Sequence, residues 1–198
     1  MTRTVIAVDF DDVIGTFNQA YIQHHNDAYG IPQIAYDDVR TFDMTELYDV
    51  SQETIVKRVR NFCHTQHHLI LPWVGVQDTL RSLNVQYEFH IVTSRCESLR
   101  AITENWILEH DLSDCFSEAH FTNGFGSIYP GAKRTKLEMC HEINAVALIE
   151  DAPLNALSVM DGGVRVLMPE RPWNQDFQHA DVIRYTDWED VPGLLRNL

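Results

Sequence analysis

The chain has 198 residues, 44% of them hydrophobic and 22% charged, a globular balance that allows one buried core and a small appended lobe. Its formal net charge of -14 repels nucleic-acid backbones and anionic membranes, which argues against a polymer substrate. No apolar run reaches membrane-spanning length, and the apolar stretch of MTRTVIAVDF breaks at Asp9, short of a signal peptide.

Cys63, Cys96, Cys115 and Cys140 form no CxxC pair and fit no zinc template, as expected of thiols in a reducing compartment. A cytosolic protein is expected.

The first element in chain order is a buried strand over 4–9. The interval 16–72 then shows no convincing buried strand. FNQAYIQHHNDAYG reads as a helix ended by Gly30. SQETIVKRVRNFCHTQHH reads as a second helix with Ser51 as its N-cap. The interval is read as a helical insertion. Residues 73–83 return as a core helix. Strands follow over 89–93, 119–122, 147–149 and 164–168, with a last one over 182–185. Helices are expected over 98–110, 133–143 and 153–160, the last opened by Pro153, whose missing N–H costs nothing in a first turn. Runs such as VIAV and AVALI suit strands covered on both faces. The alternation of strand and helix predicts an α/β fold: a three-layer Rossmann-like core with a mostly parallel sheet and a small helical cap inserted after the first strand. The expected division is 1–15 and 73–198 for the core and 16–72 for the cap.

Four segments combine chemistry with position, each at a predicted strand end or helix start, where open parallel sheets bind ligands. In VIAVDFDDVIG a buried strand delivers Asp9 and Asp11, two close carboxylates that repel unless a cation or proton lies between them. FHIVTSR ends in Thr93, Ser94 and Arg95, whose hydroxyls and backbone N–H groups suit phosphoryl oxygens. GAKRTKLEMCHEI places Lys133 and Lys136 at a helix start, an unfavourable place for a cation. ALIEDAPLNA ends a buried strand in Glu150 and Asp151, which alone would read as a helix cap. The HxxHH group of His64, His67 and His68 is expected to be a solvated helix end. The pairs Asp37–Asp38 and Glu189–Asp190 are expected to be surface charge.

In this order the four segments resemble the haloacid dehalogenase-like hydrolase superfamily, and the resemblance covers nearly the whole chain. It implies an aspartyl-phosphate mechanism with Asp9 as nucleophile and Asp11 as general acid/base. Thr93 would hold a phosphoryl oxygen. Lys136 is the motif lysine, with Lys133 as fallback. Mg²⁺ is the implied cofactor, held by Asp9, Asp151 and the backbone carbonyl of Asp11, with Glu150 in support. A carbon–halogen bond needs no acid to leave, so Asp11 favours a phosphatase over a dehalogenase. The implied partner is a small phosphorylated molecule.

Within the superfamily the chain looks most like the 5'(3')-deoxyribonucleotidase group and related nucleotidases. That likeness rests on the short helical cap, the segment TSRCESLRAITENWILEHDL, and the Pro-aromatic-Asn of RVLMPERPWNQ. It also rests on Phe17, placed where the group stacks an aromatic on the base. Ser94 and Arg95 are further substrate-binding candidates, and Phe42, Tyr48 and Trp73 are candidates for an aromatic wall. Two departures are Arg95, where the group carries Pro, and Glu150, where it carries Asp. The alternatives are a phosphatase for a sugar phosphate or another small metabolite, and a catalytically silent binding protein that kept the fold.

Overall fold

The computed structural model describes residues 3–124 and 132–198. Six strands form one sheet: β1 (Thr4–Val8), β2 (Tyr87–Thr93), β3 (Phe116–Phe121), β4 (Ala147–Ile149), β5 (Arg165–Pro169) and β6 (Val182–Tyr185). Their order is β3-β2-β1-β4-β5-β6, and every neighbouring pair is parallel. The order reverses direction between β1 and β4. That reversal leaves a crevice beyond their carboxyl ends, the usual ligand position in such sheets.

Alternation along the strands sorts side chains to two faces. Ile6, Val8, Phe89, Ile91, Ala147, Ile149 and Leu167 join one core cluster, which includes α4 (Val76–Leu83), α5 (Arg100–Glu109) and α8 (Val191–Leu195). Ala7, Val92, Leu148, Val166 and Met168 face α6 (Lys136–Glu142) and α7 (Pro153–Met160). The result is the expected three-layer arrangement. Each wholly buried side chain such as Phe89 or Ile91 contributes roughly 1.5–3 kcal/mol. Among the described residues no helix is long and apolar enough to cross a membrane.

The insertion contains α1 (Phe17–Ala28), α2 (Met44–Tyr48) and α3 (Gln52–Thr65). Ser51 caps α3 as expected, its hydroxyl accepting from the Thr54 N–H. The short α2 was not anticipated. Asp43 caps it by accepting from the Thr45 N–H at 2.8 Å, and Tyr48 anchors it edge-on against Tyr21. The chain enters and leaves the insertion along paired linkers. The Thr16 N–H donates to the Leu71 carbonyl at 2.8 Å, the Thr16 hydroxyl bonds Leu71 as well, and the Trp73 N–H donates to the Ile14 carbonyl at 2.9 Å. Gly15 sits in this crossing because a Cβ there would meet Ile70 Cγ2 at 2.8 Å.

Three element starts differ from the sequence reading by three residues. α6 begins at Lys136, because Thr135 and Glu138 form a capping box, and Lys133 lies ahead of the helix rather than opening it. α4 begins at Val76, after Gly75 in the left-handed region, so Trp73 belongs to the linker. β3 starts at Phe116, three residues earlier than expected. It is an edge strand, and its Ser117, Glu118 and His120 break the apolar run that marks the other strands.

Candidate active site

Asp9 follows β1 directly and is tied to the neighbouring strand by its N–H, which donates to the Ile149 carbonyl at 2.9 Å. Glu150 and Asp151 follow β4. Carboxylate oxygens of Asp9, Glu150 and Asp151 therefore gather within 4.8 Å of one another, all three residues buried. Lys136 comes to the same point from the start of α6. Its Nζ donates to Asp9 Oδ2 at 2.8 Å and to Glu150 Oε2 at 2.5 Å. Of the two candidate lysines, this is the one that reaches Asp9.

The remaining oxygens divide unequally. Glu150 spends its second oxygen on the Ala152 N–H at 3.0 Å, so it braces Lys136 and the start of α7. Asp151 Oδ2 accepts from Trp173 Nε1 at 2.9 Å. Asp9 Oδ1 is buried without a hydrogen-bond partner. Burial pushes the Asp9 carboxyl up to about 7, although Lys136 pulls it back, and burial likewise holds Asp151 well above the ordinary carboxylate range. Lys136 is raised: burial opposes its charge, but Asp9 and Glu150 outweigh that cost. An orphaned carboxylate oxygen beside a second buried aspartate fits a hard divalent cation, whose oxygen ligands would meet the unsatisfied demand.

Asp11 is placed differently. Its two oxygens accept from both arms of the Arg95 guanidinium, Oδ1 from Nη2 at 2.7 Å and Oδ2 from Nε at 2.9 Å. Arg95 is nine-tenths or more buried. It also donates to Thr103 Oγ1 at 2.9 Å, meets His67 Nε2 at 2.7 Å, and lies 4.0 Å above the Phe10 ring. His67 is thus interior, not the solvated helix end expected from HxxHH. Burial and the Arg95 charge lower its pKa to about 3, leaving a neutral ring that accepts from Arg95. Nothing in the sequence marks this pairing, since the partners lie 28 residues apart.

Asp12 takes a conformation with φ of 57°, one that aspartate tolerates better than most residues. Its carboxylate accepts from the Asn18 N–H at 3.0 Å and so closes the start of α1, where Thr16 makes no side-chain cap. Arg171 Nε holds the Asp12 carbonyl at 2.8 Å, and its guanidinium stacks 3.7 Å from the Trp73 ring centroid. The Pro-Trp-Asn segment forms a 3₁₀ turn over Pro172–Asn174. Besides the Trp173 bond, Asn174 Nδ2 donates to the carbonyls of Asp151 and Pro169, each at 2.9 Å. In the sequence this segment stands out by resemblance alone. Its position explains it: the turn fixes the orientation of Asp151.

Thr93 ends β2 wholly buried, with its hydroxyl accepting from the Arg95 N–H at 3.2 Å. Ser94, Thr122, Lys133, Lys136 and Asn155 line a cavity of about 190 Å³. Arg134 lines it as well, its guanidinium paired with Glu142. Phe17 lies elsewhere. Its ring stacks on Tyr21 at 5.7 Å and meets Phe62 edge-on, with 6% exposure, so the structure packs it in the core and offers no free ring face. Tyr48 is similarly enclosed by Tyr21 and His25, and Phe42 is exposed.

A parallel sheet with its acidic cluster at the β1/β4 reversal and a helical insertion after the first strand is the arrangement of the haloacid dehalogenase-like hydrolases, and this chain has that fold. A haloacid dehalogenase-like hydrolase from Streptococcus pneumoniae superposes with a TM-score of 0.71 at 14% identity, over 98% of each chain. A predicted phosphatase from Clostridium acetobutylicum gives 0.72 at 11% identity, over 100% of each. A curated nucleotidase from Clostridium acetobutylicum is 21% identical over 100% of this chain and 96% of its own length. No family model matches the chain.

Proposed function

We propose that the chain is a Mg²⁺-dependent phosphomonoester hydrolase acting through an aspartyl-phosphate. The observation that carries this reading is the Asp9 carboxylate: one oxygen held by Lys136, the other orphaned beside Asp151. Asp9, Asp151 and the Asp11 carbonyl would hold Mg²⁺, which supplies charge that lets a carboxylate approach an anionic ester. Asp9 attacks phosphorus in line, forming an oxygen–phosphorus bond as the ester bond breaks. Lys136 balances charge on the transferring group, and the Thr93 and Ser94 hydroxyls receive its oxygens. Asp11 protonates the departing alkoxide and later takes a proton from the hydrolytic water. Both Asp11 oxygens are bound to Arg95, so this role requires at least one of them to turn away from the guanidinium.

The division into a core of 1–15 and 73–198 and a cap of 16–72 belongs to the same reading. So does a small phosphorylated substrate. A nucleoside monophosphate is favoured over a sugar phosphate because the curated relative carries the name nucleotidase. Turnover of an aryl phosphate in Mg²⁺ should vanish on chelation and in Asp9→Asn. Wild-type activity in that variant removes Asp9 as the nucleophile. A panel of nucleoside monophosphates against sugar phosphates then decides the substrate class.

A further inference from the structure

Away from this site, β2 and β3 carry a second convergent group on the sheet face opposite Phe89 and Ile91. His90 Nδ1 lies 3.1 Å from His120 Nε2, and Glu118 Oε2 lies 3.8 Å from the same nitrogen. A bulge creates the grouping. The register runs Phe89 with Phe116 and then His90 with Glu118, so Ser117 is the extra residue. Without that extra residue Glu118 and His120 would share a face with Ile91, among apolar side chains.

We propose that His90, His120 and Glu118 form a binding site for a divalent transition metal of the zinc class. The two ring nitrogens stand almost at the spacing that a tetrahedral ion with metal–nitrogen bonds of about 2.0–2.1 Å imposes, roughly 3.3 Å. Two nitrogens and a carboxylate oxygen match zinc's ligand preference, with the fourth position left to water. The arrangement extends past the ligands. Glu88 Oε1 lies 3.3 Å from His90 Nε2, where it accepts that N–H and leaves the Nδ1 lone pair facing His120. A carboxylate behind a metal-bound histidine is the usual means of fixing its tautomer. The His rings meet edge to edge through the Nδ1–Nε2 hydrogen bond, with centroids 5.4 Å apart and side-chain exposures of 12% and 11%, so an ion would replace that hydrogen bond after a small turn of each ring. Burial lowers the His120 pKa, which favours the neutral ring a ligand needs. Glu142 acts on His120 from α6, Arg100 opposes it from α5, and Glu88 and Glu118 add negative charge. An ion here would tie the edge strand β3 to β2.

Zinc can also enter the acidic site, so the titration uses the full chain saturated with Mg²⁺, alongside the Asp151→Asn variant. One equivalent of Zn²⁺ should bind in both, seen by calorimetry, and should move the ring ¹⁵N signals of His90 and His120 together. His120→Gln should weaken binding by at least the tenfold to hundredfold typical of metal-site lesions, and Glu88→Gln by about tenfold to a hundredfold. The histidine signals are read in the unaltered protein, so the result does not depend on a variant folding. If those two signals stay unmoved through one equivalent of Zn²⁺, the assignment is overturned.

Discussion

At the scale of single residues, the Asp9 carboxyl sets the pH behaviour. Its proton is held in the folded protein up to about pH 7, whereas the unfolded chain releases it near its ordinary value of 3.8. Between those values the folded state binds more protons, so stability falls as pH rises. Asp151 and Asp12 are shifted the same way by burial and add to the slope. In chelator, the urea midpoint of the wild type should therefore decline from about pH 4 to 7, and Asp9→Asn should flatten the decline. Mg²⁺ should raise the wild-type midpoint most at the alkaline end, because it takes the place of the retained protons. A midpoint that rises across this interval in chelator contradicts the assigned sign.

Arg95 shows what the residue scale hides from the sequence. Its place at a strand end suggests a substrate contact, but a guanidinium with five donors satisfies whatever acceptors surround it. Its acceptors are Asp11, 84 residues distant, with His67 and Thr103.

At the scale of elements, the site is assembled from strand ends and held by turns. Thr135 and Glu138 fix where α6 begins, and that start places Lys136 against Asp9. The Pro172–Asn174 turn does the same for Asp151. Trp173→Phe keeps the ring and removes the N–H, leaving Asp151 Oδ2 without its donor. The Mg²⁺ concentration for half-maximal turnover should rise about tenfold to a hundredfold, with turnover recovering at saturating Mg²⁺. An unchanged Mg²⁺ requirement would show that the indole bond does not orient the carboxylate. The strand ends themselves were legible, because apolar runs followed by Asp9, Thr93 and Glu150–Asp151 carry the pattern in adjacent residues. Helix α2 and the polar edge strand β3 were less so, since one is too short for a period and the other lacks an apolar run.

For the molecule as a whole, one hydrophobic cluster runs from the sheet through Phe10 and Ile14 into Phe17, Tyr21, Ile55 and Phe62 of the insertion. Continuity of this kind couples the insertion's stability to the core. The four tryptophans, Trp73, Trp106, Trp173 and Trp188, all lie outside residues 16–72, with Trp106 bonded to the Ile70 carbonyl and Trp173 edge-on to Tyr36, so their fluorescence reports on the core and on its contacts with the insertion. Phe62→Ala empties a wholly buried site and should cost about 3–5 kcal/mol. That loss should lower the fluorescence midpoint together with the circular-dichroism midpoint. A fluorescence midpoint left at its wild-type value, with an earlier loss of helix, would mean that the insertion unfolds alone.

The sequence by itself determined the layered α/β architecture, the interruption after the first strand, and the acidic residues at the strand ends, because strand periodicity and chain order are local properties of the chain. Only the tertiary structure decided that Lys136 rather than Lys133 meets Asp9, that Arg95 grips Asp11, that Trp173 and Asn174 orient Asp151, and that Phe17 is enclosed. Those outcomes depend on which distant groups burial forces together, and buried charges and N–H groups must find partners wherever the fold brings them.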